Sequence, residues 1–264
     1  MTPKVVVVIA DPHCGSTVGL CPPDFPIHDG ATYRLNKQQE WLWAQYTDFL
    51  EWKARIIGSD PFILVVNGDA VEGEHHRSKQ VISTDTGVMT ACAIDVLARA
   101  ATGAAGVYIT HGTEAHVGHS TESQIGFSLG AQRAPDGYFF RQRWLLEING
   151  VLCSFRHHMT TTKRKHLEAG AMSAEAGNEQ LNAARYGHPV PRVMCRAHRH
   201  LYGSYEDGFC TFVASPPWKL LDNFVHKVAA GTIAAVGAYM LDFRDRPEGE
   251  LPDVRKFIRS YRED

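Results

Sequence analysis

The 264-residue chain lacks most of the features that would tie it to an oxidising compartment, a membrane or a polyanion. Its six cysteines (Cys14, Cys21, Cys92, Cys153, Cys195 and Cys210) form no C-x-x-C clip, and most have apolar neighbours. That pattern predicts buried, reduced thiols rather than a disulfide framework. Long hydrophobic runs are also missing. The opening "VVVVIA" is too short for a signal peptide's centre, and "TIAAVGAYML" is too short to span a bilayer. The formal charge of -2 gives no global nucleic-acid or membrane footprint, which leaves only local basic patches. No repeat, low-complexity segment or Gly/Ser-rich linker divides the sequence, so residues 1–264 read as one cytoplasmic domain of open oligomeric state.

Histidine, by contrast, is plentiful, with 14 in the chain, and the positions of these residues carry the argument. "VVVVIA" at Val5–Ala10 and "FILVV" at Phe62–Val66 are uninterrupted apolar runs, the pattern of strands covered on both faces. Between them Leu42, Tyr46, Phe49, Leu50 and Ile57 recur at helical spacing, with Asn36 as cap and Gly58 as stop. A second helix follows, capped by Ser83 or Thr84, with Val88, Cys92 and Val96 on one face and Gly103 at its end. Gly106–Thr110 is the next strand, so the first half reads β-α-β-α-β with parallel strands and right-handed crossovers.

The second half is richer in strands. Asn149-Gly150 between two strand-like runs signals a hairpin. A helix near Ser173–Arg185 precedes "PRVMCRAH", "LYGSYEDGFCTFVAS" and "VGAYMLDFRD", which read as antiparallel strands. Together the halves suggest two packed sheets with helices outside.

Five of these strands end in one chemistry. The ends read Asp11-Pro12-His13, Asn67-Gly68-Asp69, His111-Gly112-Thr113-Glu114-Ala115-His116, Arg156-His157-His158 and Ala197-His198-Arg199-His200. Ligands in open α/β sheets collect beyond the carboxyl ends of strands. Aspartates and imidazoles without nearby thiols suit Mn, Fe, Zn or Ni better than Ca or a zinc–thiolate cluster. This donor set is too large for one tetrahedral ion and suits two ions sharing a carboxylate.

At this point the chain resembles the calcineurin-like metallophosphoesterase superfamily, whose motifs run D-x-H, G-D, G-N-H-[D/E], a lone His after a strand, and G-H-x-H. The matches are Asp11-Pro12-His13, Gly68-Asp69, Gly112–His116, His157 and Ala197-His198-Arg199-His200, in the family's order. D-x-H or G-D alone is a weak signal, whereas the ordered set is specific. "STVGLCPPDFP" and the G-T-x-A-H form of the third motif look most like members from phage and prophage genomes.

The resemblance implies a four-layer αββα sandwich of two mixed sheets flanked by helices. It implies two divalent ions, manganese first, with iron, nickel or zinc as alternatives. Asp11, His13 and His200 would hold one ion, and His157 and His198 the other, with Asp69 bridging them. His116 would be the general acid in phosphoester hydrolysis, with in-line attack by a metal-bridging hydroxide. Two departures stand out: Ala197 replaces a glycine, and the asparagine ligand has no counterpart. Thr113 occupies its place, with Glu114 and His116 as alternatives.

The basic runs at His75–Lys79 and Thr160–His166 would lie at the mouth of the site, and Lys163 and Arg164 are the candidate substrate contacts. They favour a phosphodiester of nucleic acid or a nucleotide. A phosphomonoesterase and a non-catalytic metal-binding scaffold are the alternatives. A barrel-type metal amidohydrolase fits less well, since H-x-H comes last here rather than first. His111 and His119 read as hydrogen-bonded loop residues, His75 and His76 as loop residues in solvent, and Glu72 and Glu74 as exposed loop charges.

Overall fold

In the computed structural model, which describes residues 2–73, 79–116, 118–160, 168–223 and 233–262, three strands form one parallel block. These are β1 (Val5–Ile9), β4 (Phe62–Asn67) and β5 (Ala104–Thr110). They are joined through α1 (Lys37–Ile57) and α2 (Thr86–Ala101), and a two-stranded ribbon of β2 (Phe25–Pro26) and β3 (Thr32–Tyr33) precedes α1. β11 (Ala235–Asp242) and β12 (Asp253–Ser260) add antiparallel to the other side of β1, giving the order β12-β11-β1-β4-β5. The second sheet has the order β6-β7-β8-β10-β9, built from β6 (Trp144–Ile148), β7 (Val151–Phe155), β8 (Val193–Arg196), β9 (Gly203–Glu206) and β10 (Thr211–Ala214).

Alternation along each strand explains the layering, because successive side chains point to opposite faces. Val5, Val7 and Ile9 join Leu42, Tyr46, Phe49, Cys92 and Val96 in a core between the first sheet and its helices. Val6 and Val8 face the other way and pack with Val151, Cys153, Phe155, Val193 and Cys195 between the two sheets. Met194, Phe212 and Ala214 leave that middle layer and meet Met172 and Ala176 of α4 (Glu168–Arg185). The result is a helix–sheet–sheet–helix stack, and a strand buried on both faces accounts for the unbroken "VVVVI" of β1.

Local signals account for most boundaries. Asn36 accepts from the Gln39 amide at 3.0 Å, Gln39 completes the capping box, and Gly58 ends α1 at φ 61°. Asn149 and Gly150 turn the β6–β7 hairpin with φ of 49° and 74°, both left-handed as such a two-residue turn requires. All six cysteines are buried and unpaired. Among the described residues no helix is long and apolar enough to cross a membrane.

Several expectations need correction. The cap of α2 is Asp85, which accepts from the Gly87 amide at 2.6 Å, because the Ser83 hydroxyl is already accepting from the Asp85 amide. α3 (His119–Ser128) and β12 were not foreseen. β8 and β10 are parallel to each other rather than antiparallel, and β7 runs parallel to β8 as well. α4 supplies the long crossover that a parallel β7–β8 pair needs, while β9 pairs antiparallel with β10 at the sheet edge and leaves β10 running with β8.

Glu175 of α4 secures that crossover. It accepts from Arg196 Nε at 2.8 Å, from Arg156 Nη2 at 2.7 Å and from the Thr160 amide. Arg196 is fully buried and also pairs with Glu179. Glu175→Ala leaves that guanidinium under-compensated, and a loss of about 3 kcal/mol in urea unfolding is expected. A loss below about 0.5 kcal/mol, the size of an exposed pair, would show that Glu179 suffices.

Candidate metal centre

Because β1, β4 and β5 are parallel, and β7 and β8 are parallel, the five motif-bearing ends emerge at one edge of the stack. Backbone bonds continue the pairing past the strands. The Asp11 amide donates to the Gly68 carbonyl (3.2 Å), the His13 amide to the Asp69 carbonyl (3.1 Å), and the Ala197 amide to the His157 carbonyl (2.8 Å). Gly68 and Gly112 are required by space. A Cβ on Gly68 would sit 2.3 Å from His157 Nδ1, and one on Gly112 would sit 2.3 Å from Asp69 Oδ1.

Asp11, His13, Asp69, His198 and His200 all have left-handed φ, between 43° and 71°. They are five of the seven non-glycine residues with that backbone among those described. Such conformations persist only where the surroundings over-determine them, and they cluster at functional sites.

The side chains converge into four overlapping groups: Asp11, His13 and His200; Asp11, Asp69 and His157; His13, Asp69 and His116; and His157, His158 and His198. Within each group the donor atoms lie within 4.8 Å of one another. Asp11, His13, Asp69 and His157 form a dry floor, each at most 1% exposed. His116, His198, His200 and Thr113 are half-buried around it, and His158 is exposed. Of the expected residues, Asp11, His13, Asp69, Thr113, His116, His157, His198 and His200 are therefore brought together. Lys163 and Arg164 lie outside the described residues, as do Glu74, His75 and His76.

Hydrogen bonds aim the rings. His157 Nδ1 donates to the Asn67 carbonyl at 2.9 Å, which leaves Nε2 3.1 Å from Asp69 Oδ2. His13 Nδ1 lies 2.8 Å from Glu72 Oε2, so its Nε2 faces the cluster, 3.1 Å from His200 Nε2. Glu72, expected to be an exposed loop charge, is 1% exposed and also paired with the buried Lys219 Nζ at 3.0 Å. A bridge between Cys14 and Val71 extends the β1–β4 pairing and sets Glu72 beside His13. His111 donates to Glu122, whose other oxygen accepts from the Gly112 amide at 2.8 Å, so this buried carboxylate holds the third motif. Glu122 and Lys219 were not foreseen. A lysine inside "PPWKLL" was the available signal for one, whereas Glu122 sits on the unforeseen α3.

Thr113, the expected stand-in for the missing asparagine, borders Asp69 and three imidazoles. Its amide donates to Asp69 Oδ1 at 2.6 Å, and its hydroxyl is 3.1 Å from His198 Nδ1, 3.4 Å from His157 Nε2 and 3.5 Å from His158 Nε2. His116 stands on the other side, its ring 4.6 Å from that of His13, while Glu114 is exposed. His158 is exposed rather than part of the core, and its ring borders Thr113 as that of His157 does.

Burial, with help from the Lys219 ammonium, holds His13 down to about 4, and burial with the neighbouring His157 does the same to His198. Both rings are therefore neutral at pH 7. Burial opposes charge on His157 too, but Asp69 outweighs it and raises that ring to about 9. Burial likewise works against ionised Asp69, and the His157 charge overrides it to keep the carboxyl well below its ordinary range. Asp11 Oδ1 is buried, accepts no hydrogen bond, and lies 3.4 Å from His200 Nε2 and 3.9 Å from His13 Nε2. An orphaned carboxylate oxygen facing imidazole nitrogens fits a cation, and the N/O donor set fits a divalent transition metal.

No family model and no curated protein matches the chain. Among solved structures it is similar to an archaeal phosphodiesterase, at 10% identity over 97% of this chain and 99% of that one, with a TM-score of 0.46. It is also similar to Vps29 of Chaetomium thermophilum, at 10% identity over 99% and 98%, TM-score 0.45. A third is YfcE, a phosphoesterase from E. coli, at 11% identity over 90% and 88%, TM-score 0.43.

Because His157 holds a proton up to about 9 in the metal-free protein, a cation that takes its Nε2 must displace that proton at pH 7. Affinity should therefore rise with pH up to about 9 and level off above it. Titration calorimetry in buffers of different ionisation enthalpy should show roughly one proton released per chain at pH 7. No release would mean that His157 stays outside the coordination sphere.

Proposed function

We propose that this chain is a metal-dependent phosphoesterase of the calcineurin-like superfamily, phage type, acting on a phosphodiester of nucleic acid or a nucleotide. The supporting observation is the convergence of Asp11, His13, Asp69, His157, His198 and His200 from separate strand ends into overlapping groups. Asp11, His13 and His200 would hold one divalent ion, and His157, His198 and Thr113 another, with Asp69 shared. His158 stands next to the second position. Manganese is the first choice, and imidazole and carboxylate donors also admit iron, nickel or zinc. Ions bound there supply an acidified water and neutralise charge on the phosphoryl oxygens. A single cytoplasmic domain belongs to the same reading.

The chain's own groups do the rest. Glu72 and the Asn67 carbonyl lock His13 and His157 with Nε2 toward the cluster, so no ring must reorient during turnover. The Thr113 amide and hydroxyl hold both oxygens of Asp69. His116 Nδ1 donates to the Glu72 carbonyl at 2.6 Å, which leaves Nε2 to deliver a proton to the departing alkoxide oxygen. Its place beside His13, rather than beside His157 and His198, favours this role over that of a second-site ligand. Lys163 and Arg164 are proposed as phosphate contacts on the sequence alone.

Asp69→Asn should abolish metal occupancy and activity together while the far-ultraviolet circular dichroism stays unchanged. Wild-type turnover of a diester panel by this variant with Mn, Ni, Zn or Mg would end the assignment. His116→Ala should keep its metal, slow esters with alkoxide leaving groups about 10²–10⁴-fold, and slow nitrophenyl esters far less. Equal damage to both ester types together with loss of metal would make His116 a ligand instead.

A further inference from the structure

Beside the third motif the chain forms a cavity of about 500 Å³ that the ester chemistry leaves unused. Its walls include His119, Asp136, Tyr138, Phe140, Arg141 and Arg143. Three of these residues form a ring cluster: Tyr138 lies 5.2 Å from Phe140, and His119 lies 5.4 Å from Phe140 and 5.8 Å from Tyr138. Phe140 in turn stacks on the buried His111 at 4.9 Å. The cluster is anchored at that end and open at the other, where Tyr138 is 42% exposed.

Two guanidinium groups border the rings. Arg143 lies 3.3 Å from Glu179, whereas Arg141 has no ion-pair partner among the described residues and rests over the Trp144 ring at 5.1 Å. The backbone ties this wall to the metal centre. The Arg141 carbonyl accepts from the His111 amide at 2.8 Å, and Thr113, two residues further on, donates to Asp69. With about 3.8 Å between consecutive Cα atoms, His111 is within about 8 Å of Thr113.

The exposed rings of His119 and Tyr138 take a planar π partner, Arg141 takes a phosphate, and Asp136 can accept from an amino group or a ribose hydroxyl. An acidic peptide would satisfy the arginines but would leave the rings without a planar partner and set its carboxylates against Asp136. We propose that this cavity seats a nucleotide's base and phosphate, adjacent along the strand to the phosphodiester at the Asp69 cluster. The inference rests on the phosphodiesterase reading and adds to it a subsite for the neighbouring nucleotide.

Wild type, Tyr138→Leu and Arg141→Gln separate the possibilities, since both side chains are exposed and neither belongs to the metal cluster. Calorimetry with a thymidine dinucleotide, without added metal so that nothing is hydrolysed, should show binding about tenfold weaker in each variant. With Mn present, each variant should lose about tenfold in kcat/KM, through KM, on thymidine 5′-phosphate 3′-(nitrophenyl phosphate), whose base and second phosphate reach the cavity while its ester lies at the Asp69 cluster. Each should keep wild-type turnover of bis-nitrophenyl phosphate. Unchanged dinucleotide affinity, no wild-type binding, or equal losses on the two esters overturns the cavity assignment. If wild type binds the dinucleotide, the variants do not, and no ester is cleaved, the cavity stands and the phosphodiesterase reading falls.

Discussion

The cluster depends on one buried carboxylate in contact with the other motifs. Asp69 receives the Thr113 amide on one oxygen and approaches His157 Nε2 with the other, while its backbone carbonyl binds the His13 amide. Gly112 packs so closely against it that no side chain would fit there. Burying a carboxylate is costly unless it is compensated. Here the compensation comes from the Thr113 amide and hydroxyl and from His157, while the His13 amide on the Asp69 backbone carbonyl and the His198 contact with the Thr113 hydroxyl tie in two further motifs. The same geometry that keeps Asp69 ionised also assembles the site.

A division of labour follows from burial. The floor residues Asp11, His13, Asp69 and His157 are dry, held by Glu72 and the Asn67 carbonyl, and unable to change rotamer without breaking a buried contact. The rim residues His116, His158, His198 and His200 meet solvent, where a ligand must arrive and leave. Beneath them Glu122 and Glu175 brace the third motif and the β7–β8 pair through bonds to backbone amides and arginine. Five left-handed residues in one site are sustained by this bracing, since each conformation is disfavoured by itself.

Much of this was legible in the chain. β1 and β4 show as apolar runs, and α1 shows through its spacing and its Asn36–Gly58 caps. The hairpin shows through Asn149-Gly150, and the candidate ligands show through Asp and His recurring after strands. These features are local, set by periodicity over a few residues and by side chains that bond their own backbone. β12 was missed because its burial is uneven and its pattern polar, and α3 because its residues carry almost no amphipathic face.

What the sequence determined by itself was therefore most of the inventory: the longer apolar strands and the Asp and His donors that end them. Only the tertiary structure decided direction and neighbourhood. Antiparallel β7 and β8 would have sent His157 and His198 to opposite edges, and it is the α4 crossover, secured by Glu175 on Arg196, that brings them together. Likewise Glu72 looked like a loop charge until the extended β1–β4 pairing set it beside His13 and Lys219, 147 residues away in the chain from the latter. Such contacts depend on strand order and register, which are settled by packing two sheets face to face, and no short window of sequence contains that information.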